Sequence, residues 1–132
     1  MAAYATTTDL ANLGLPSQLL AGIPSAQQSA ALDSASATVD SYLSARFILP
    51  LKSWGQDLTR ATCELAAWSI LSTRGFDPDS GGDAAVRQRF EDTMRWLRDV
   101  ADERATPAGV VDGSSSGTTI APKIFTNTPR GW

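Results

Sequence analysis

The stretch Asp33-Ser-Ala-Ser-Ala-Thr-Val-Asp-Ser-Tyr-Leu-Ser-Ala-Arg-Phe-Ile-Leu-Pro-Leu51 constrains this chain more than any other. It reads as the second half of a long helix that ends at a tyrosine–leucine pair and Arg46. The chain then leaves through an apolar exit stopped by Pro50. Upstream, Ile23-Pro24-Ser25 supplies a start, so the pattern predicts a helix over roughly residues 25–46. Leu32, Ala35, Val39, Tyr42 and Leu43 recur at three- and four-residue spacing and make its apolar stripe. The other face is Ser, Thr, Asp and Gln, and the many small residues make a thin helix suited to close packing.

Four more helices follow from the same reasoning. Thr7-Thr8-Asp9 is an N-cap cluster for a short helix stopped at Gly14, and Pro16-Ser17 opens a second short one ending at Gly22. After Trp54-Gly55, residues 56–74 carry Leu58, Ala61, Cys63, Leu65, Trp68, Ile70 and Leu71 on nearly every side, the pattern of a central buried helix. Gly75 is placed to end it. Asp83 is placed to cap a last helix over about 84–104, with Val86, Phe90, Leu97 and Ala101 as its stripe. The expected fold is all-α: a small bundle of three long and two short helices over residues 1–104.

From Ala105 the composition changes. Pro107 and Gly109 end the helix, Gly113-Ser-Ser-Ser-Gly117 reads as a flexible linker, and the chain turns apolar again at Ile120, Ile124, Phe125 and Trp132. Residues 105–132 are therefore expected to form an extended docking arm. Ile120, Ile124, Phe125, Arg130, Gly131 and Trp132 are its partner-docking candidates, Arg and Trp being frequent interface anchors. Such an arm orders on a partner's surface. The alternative is a tail folded back on its own bundle, and both readings stay open.

The chemistry available to the chain is narrow. Its 132 residues include no histidine and one cysteine, so neither a Cys/His nucleophile pair nor a Cys/His zinc cluster can be built. No phosphate-cradling glycine motif is present. The loop Asp77-Pro-Asp-Ser-Gly-Gly-Asp83 fails as a calcium loop because Gly81 holds a ligand position and Gln88 replaces the closing glutamate. No catalytic residue, metal or cofactor is expected, and the chain reads as a non-enzyme. Glu64 on the central helix needs a partner, for which Arg46 or Arg60 is available. Trp54, Trp68 and Trp96 are read as core.

Charge is uneven: residues 1–103 hold 8 Lys/Arg against 13 Asp/Glu, while the rest hold three basic residues and Asp112 alone. An acidic body does not suit sequence-specific nucleic-acid binding. The N-terminus has neither the basic nor the apolar region of a signal peptide, and no apolar run approaches a membrane span. A soluble protein of a reducing cytosol is expected. Asp33 and Asp40, seven residues apart on one helix face, could do acid–base work only if buried in a cleft. The favoured role is pairing across a subunit seam, with Arg46, Arg87, Arg95 and Arg98 as the other intersubunit candidates.

Val39-Asp-Ser-Tyr-Leu-Ser-Ala-Arg46 followed by Leu49-Pro-Leu51, with Ala61-Thr-Cys-Glu-Leu-Ala67, Val86-Arg-Gln-Arg-Phe90 and the ending Ile124-Phe-Thr-Asn-Thr-Pro-Arg-Gly-Trp132, resembles the head–tail connector proteins of Mu-like phages and prophages. These are also called neck or head-completion adaptors. Residues 13–30 depart from the pattern, being small and polar where more charge is usual. The resemblance implies a structural virion protein at the capsid's portal vertex, present in host cytoplasm during assembly. It implies a homo-oligomeric ring, dodecameric in related connectors, that receives the portal protein above and a stopper or tail-completion protein below. Double-stranded DNA would pass through the lumen without sequence-specific binding. A different class, a small cytosolic helical regulatory or protein–protein interaction module, would also explain a bundle with a flexible tail.

Overall fold

A computed structural model describes residues 3–74 and 81–113. Its elements are α1 (Thr7–Leu13), α2 (Ser17–Leu20), α3 (Ser25–Leu43), α4 (Gln56–Arg74) and α5 (Gly81–Ala101). The expected all-α class and the three-long, two-short pattern hold, and among the described residues the only extended pairing is a single antiparallel bridge between Ser53 and Val111.

Helix boundaries shift where capping chemistry decides them. The cap of α1 is Thr6 rather than the 7–9 cluster: its Oγ1 accepts from the Asp9 amide while Asp9 accepts from the Thr6 amide, a reciprocal capping box. Helix α3 stops at Leu43, three residues short of Arg46, and the chain continues as turns. Helix α5 starts at Gly81, so Asp83 lies buried inside its first turn rather than at the residue before the helix, and the helix ends at Ala101 rather than 104. A carboxylate in that turn still favours the positive end of the helix dipole.

The core forms around α4. Leu58, Ala61, Cys63, Ala66, Ala67 and Leu71 are almost wholly excluded from solvent, and α4 touches α1, α3 and α5. Helix α3 contributes Leu32, Ala35, Val39 and Leu43, and α5 contributes Val86, Leu97 and Val100. Helix α1 inserts Leu10 and comes so close to α4 that a Cβ on Gly14 would sit 3.1 Å from the Cys63 carbonyl oxygen and 2.8 Å from Leu10 Cδ1. Burial of the Cys63 thiol, with Asp9 and Glu64 nearby, pushes its pKa up to about 12. The tryptophans take the rim rather than the core: Trp54, Trp68 and Trp96 are half-buried. Trp68 stacks on Phe90 at 5.5 Å between ring centroids. No helix among the described residues is long and apolar enough to cross a membrane.

Candidate functional site

The polar residues of the N-terminal half converge on Tyr4. Its amide donates to the buried Ser36 Oγ at 3.1 Å, its carbonyl accepts from Thr59 Oγ1 at 3.0 Å, and its hydroxyl donates to Asp40. The ring meets Trp54 edge-on at 4.7 Å. Burial first, then the Asp40 hydrogen bond and charge, hold the Tyr4 hydroxyl well above the usual phenol range. The segment before α1 is thus pinned to both α3 and α4.

A second polar centre lies just past the C-terminal end of α3. Arg46 donates through Nη1 to the Val100 carbonyl at 3.0 Å and the Ala105 carbonyl at 2.7 Å, capping the last turn of α5. Beyond it, residues 105–113 form a strap laid along the α3–α4 connection. The Ala108 amide donates to Asp57 Oδ2 at 2.9 Å, the Val111 amide to the Ser53 carbonyl at 3.1 Å, and the Gly113 amide to the Ile48 carbonyl at 2.6 Å. Asp112, itself buried, accepts from the Ile48 amide at 3.2 Å. The strap lies so close that a Cβ on Gly55 would stand 2.6 Å from the Ala108 carbonyl oxygen, and Gly109 takes a φ of +71° where the strap turns. The expected division after residue 104 therefore falls inside a hydrogen-bonded stretch, and the body continues through Gly113. Ile48, clamped at both its amide and its carbonyl, is the large apolar side chain most exposed among the described residues.

Two grooves flank α4. A cavity of about 490 Å³ opens between the α2–α3 corner and the C-terminal half of α4, with Leu19, Ile23, Ala31 and Ile70 as its apolar wall and Ser34 and Thr73 among its polar residues. Gln28 holds that corner, its side-chain amide donating to the Leu20 and Ile23 carbonyls at 3.1 and 3.0 Å. A further cavity, about 410 Å³ between α4 and α5, is charged, bearing Asp57, Arg60, Glu64, Arg89 and Asp92. There Glu64 accepts from Thr93 Oγ1 at 2.5 Å, a hydroxyl rather than the arginine partner expected.

The six intersubunit candidates divide. Asp40 and Arg46 are engaged inside the subunit, with Tyr4 and with the end of α5. Asp33 and Arg98 are exposed on α3 and α5. Arg87 and Arg95 are exposed and bond within α5, to Glu91 at 3.3 Å and Asp92 at 3.2 Å. Asp33 and Asp40 share α3 but not an environment, since one faces solvent and the other a tyrosine. Ile120, Ile124, Phe125, Arg130, Gly131 and Trp132 lie outside the described residues, as does most of the calcium-like loop. Ser36, Thr59, Asp57 and Asp112 are the organising residues that sequence reasoning missed. Each acts on a backbone group more than 30 positions away, which no local pattern reveals.

The molecule is a small all-α bundle closed by a C-terminal strap, and its sequence is that of a phage protein. Residues 3–119 match the family described as Bacteriophage Mu, Gp36, and the chain belongs to that family. It is 36% identical over 93 residues to "Gene product J" of Escherichia phage Mu, covering 70% of this chain and 57% of that one. It is 41% identical over 71 residues to "Mu-like prophage FluMu protein gp36" of Haemophilus influenzae, covering 54% of this chain and 45% of the relative. The matches thus span about half the length of these curated relatives.

Proposed function

We propose that this protein is a head–tail connector of a Mu-like phage or prophage, a non-enzymatic adaptor that forms a ring below the portal and joins the DNA-filled head to the neck and tail. The observation that carries this reading is the strap. A chain stapled to the bundle from Arg46 to Gly113 launches its remaining residues from one defined place, as a protein that works by docking requires. Family membership supports a phage role, and the resemblance supplies the rest: the ring of twelve copies, the portal and stopper partners, and the lumen. An acidic body suits a DNA channel, because it gives the phosphates nothing to hold. Ring closure needs heterologous contacts between different surfaces of neighbouring subunits. The small-residue face of α3, with Asp33, and the arginines of α5 suit such a seam.

The test is genetic and visual. A phage carrying a stop codon early in this gene should accumulate DNA-filled heads and free tails, seen by negative-stain microscopy. Purified protein should add a ring to isolated portal. Normally joined particles from the mutant phage would overturn the connector role.

A further inference from the structure

The groove of about 490 Å³ between the α2–α3 corner and α4 is apolar, open, and lined by no charged residue among those described. We propose that the chain's own C-terminal segment fills it, with Ile120, Ile124 and Phe125 as the anchors, before any partner is met. The inference does not depend on the connector reading, because it concerns the isolated subunit.

Chain length carries the argument. The strap fixes Gly113 against Ile48, just past the C-terminal end of α3. The α3 residues on the groove run from Gln27 to Ser34. With a helical rise of about 1.5 Å per residue, they lie about 14–24 Å back along α3 from Leu43. From Gly113, an extended chain reaches up to about 23 Å by Ile120, and about 36–40 Å by Ile124 and Phe125. Ile124 and Phe125 therefore reach the groove with slack to pass around the helices, while Ile120 reaches only its nearer end, and Gly113-Ser-Ser-Ser-Gly117 has the glycine–serine composition of a linker.

Chemistry agrees with reach. Between Thr118 and Pro129 the only charged residue is Lys123, so the segment brings apolar side chains and little charge to desolvate. Tethering sets its effective concentration near the millimolar range for a short flexible linker. A second copy at ordinary concentrations competes poorly against that. A partner that recruits the tail must then draw it out of the groove, which lowers its apparent affinity and makes tail release a step in assembly.

The full-length chain tests this. Gln27 is exposed on the groove's own lining, and Cys63 is buried with its thiol pushed up to about 12, so a thiol-directed spin label on the Q27C variant reports from the groove alone. In uniformly 15N-enriched, spin-labelled protein, the amide signals of residues 120–125 should lose most of their intensity. The Ile124→Asp, Phe125→Asp double variant should restore them. Mixing spin-labelled, unenriched chain with unlabelled, enriched chain should leave them intact. Full intensity at 120–125 in the first sample would overturn the proposal. Loss appearing in the mixed sample would also overturn it, and would assign the groove to the tail of a second copy.

Discussion

The Arg46 guanidinium sits on the Val100 carbonyl at 3.0 Å, joining the exit of α3 to the last turn of α5 across 54 residues of sequence. The same nitrogen holds the Ala105 carbonyl at 2.7 Å, so one side chain satisfies two acceptors at the place where α5 becomes the strap.

Replacing Arg46 by Met keeps the aliphatic stem and removes both bonds. Hydrogen bonds to charged groups contribute about 1.5–3 kcal/mol each, and losing this half-buried pair should cost about 2–4 kcal/mol of unfolding free energy. Urea melts should show a lower midpoint. Amide exchange should quicken first at residues 105–113. Unchanged exchange there would mean that the strap is held by its own bonds to residues 48–57.

Gly55 is where the strap comes closest, and the Gly55→Ala variant puts a methyl group against a backbone oxygen that cannot move alone. Overpacking of this kind costs about 1–3 kcal/mol. The expected result is a displaced strap above an intact bundle: helical circular dichroism preserved, with protection lost at Ala108. A variant as stable and as protected as the parent would place the Ala108 carbonyl elsewhere.

Ser36→Ala removes the acceptor of the Tyr4 amide inside the core, leaving a buried donor unpaired at a cost of about 1–3 kcal/mol. The segment ahead of α1 should loosen and become a site of limited proteolysis near Tyr4. Cleavage confined to the α4–α5 connection would argue against the pinning role.

Stability should fall in alkali. The Cys63 thiol is raised from 9.0 to about 12 and the Tyr4 hydroxyl is raised above the phenol range. In both, the folded state keeps a proton that the unfolded state has released, so their contribution is complete below pH 9 and declines as pH rises through the folded values. Chemical denaturation from pH 8 upward should give a steadily decreasing free energy. Tyr4→Phe and Cys63→Ala should each flatten the curve; parallel curves for all three proteins would remove these groups as the cause.

The seam charge of the proposed ring is best probed at Asp33. Reversing Asp40 would also break its bond to Tyr4, so a defect there confounds folding with assembly. Asp33→Lys should leave the melting temperature unchanged, because exposed pairs contribute only about 0–1 kcal/mol. It should alter ring formation on the portal, scored by microscopy. Rings formed as by the parent chain would put the seam on another face.

The helices were legible because each long one repeats its apolar residues at helical spacing, and α4 stood out as central because Leu58, Cys63, Leu65 and Leu71 fall on nearly every side of it, with Asp57, Arg60 and Glu64 as a narrow polar strip. Ser36 was misjudged for the same reason: it sits among alanines and serines that look like a solvated face, and only the arrival of the Tyr4 amide explains its burial. In the sequence Arg46 reads as an intersubunit residue or as a partner for Glu64, and within the subunit it bonds to neither an acid nor a side chain of the core. Its acceptors are backbone carbonyls, which carry no side-chain signature. The strap escaped notice because glycine, proline and serine after Ala105 read as a linker. What fixes residues 105–113 is a set of bonds to Ile48, Ser53 and Asp57 that any backbone can make.

The stapling of residues 105–113 also decides how the molecule carries load. A pull on the C-terminal segment reaches Ile48 first through Gly113 and Asp112, then Ser53 through Val111, and Asp57 through Ala108. Tension is delivered to the α3–α4 connection before it reaches the last turn of α5. The helix ends at α3 and α4 take the strain together, and α5 is shielded from being unwound from its own terminus.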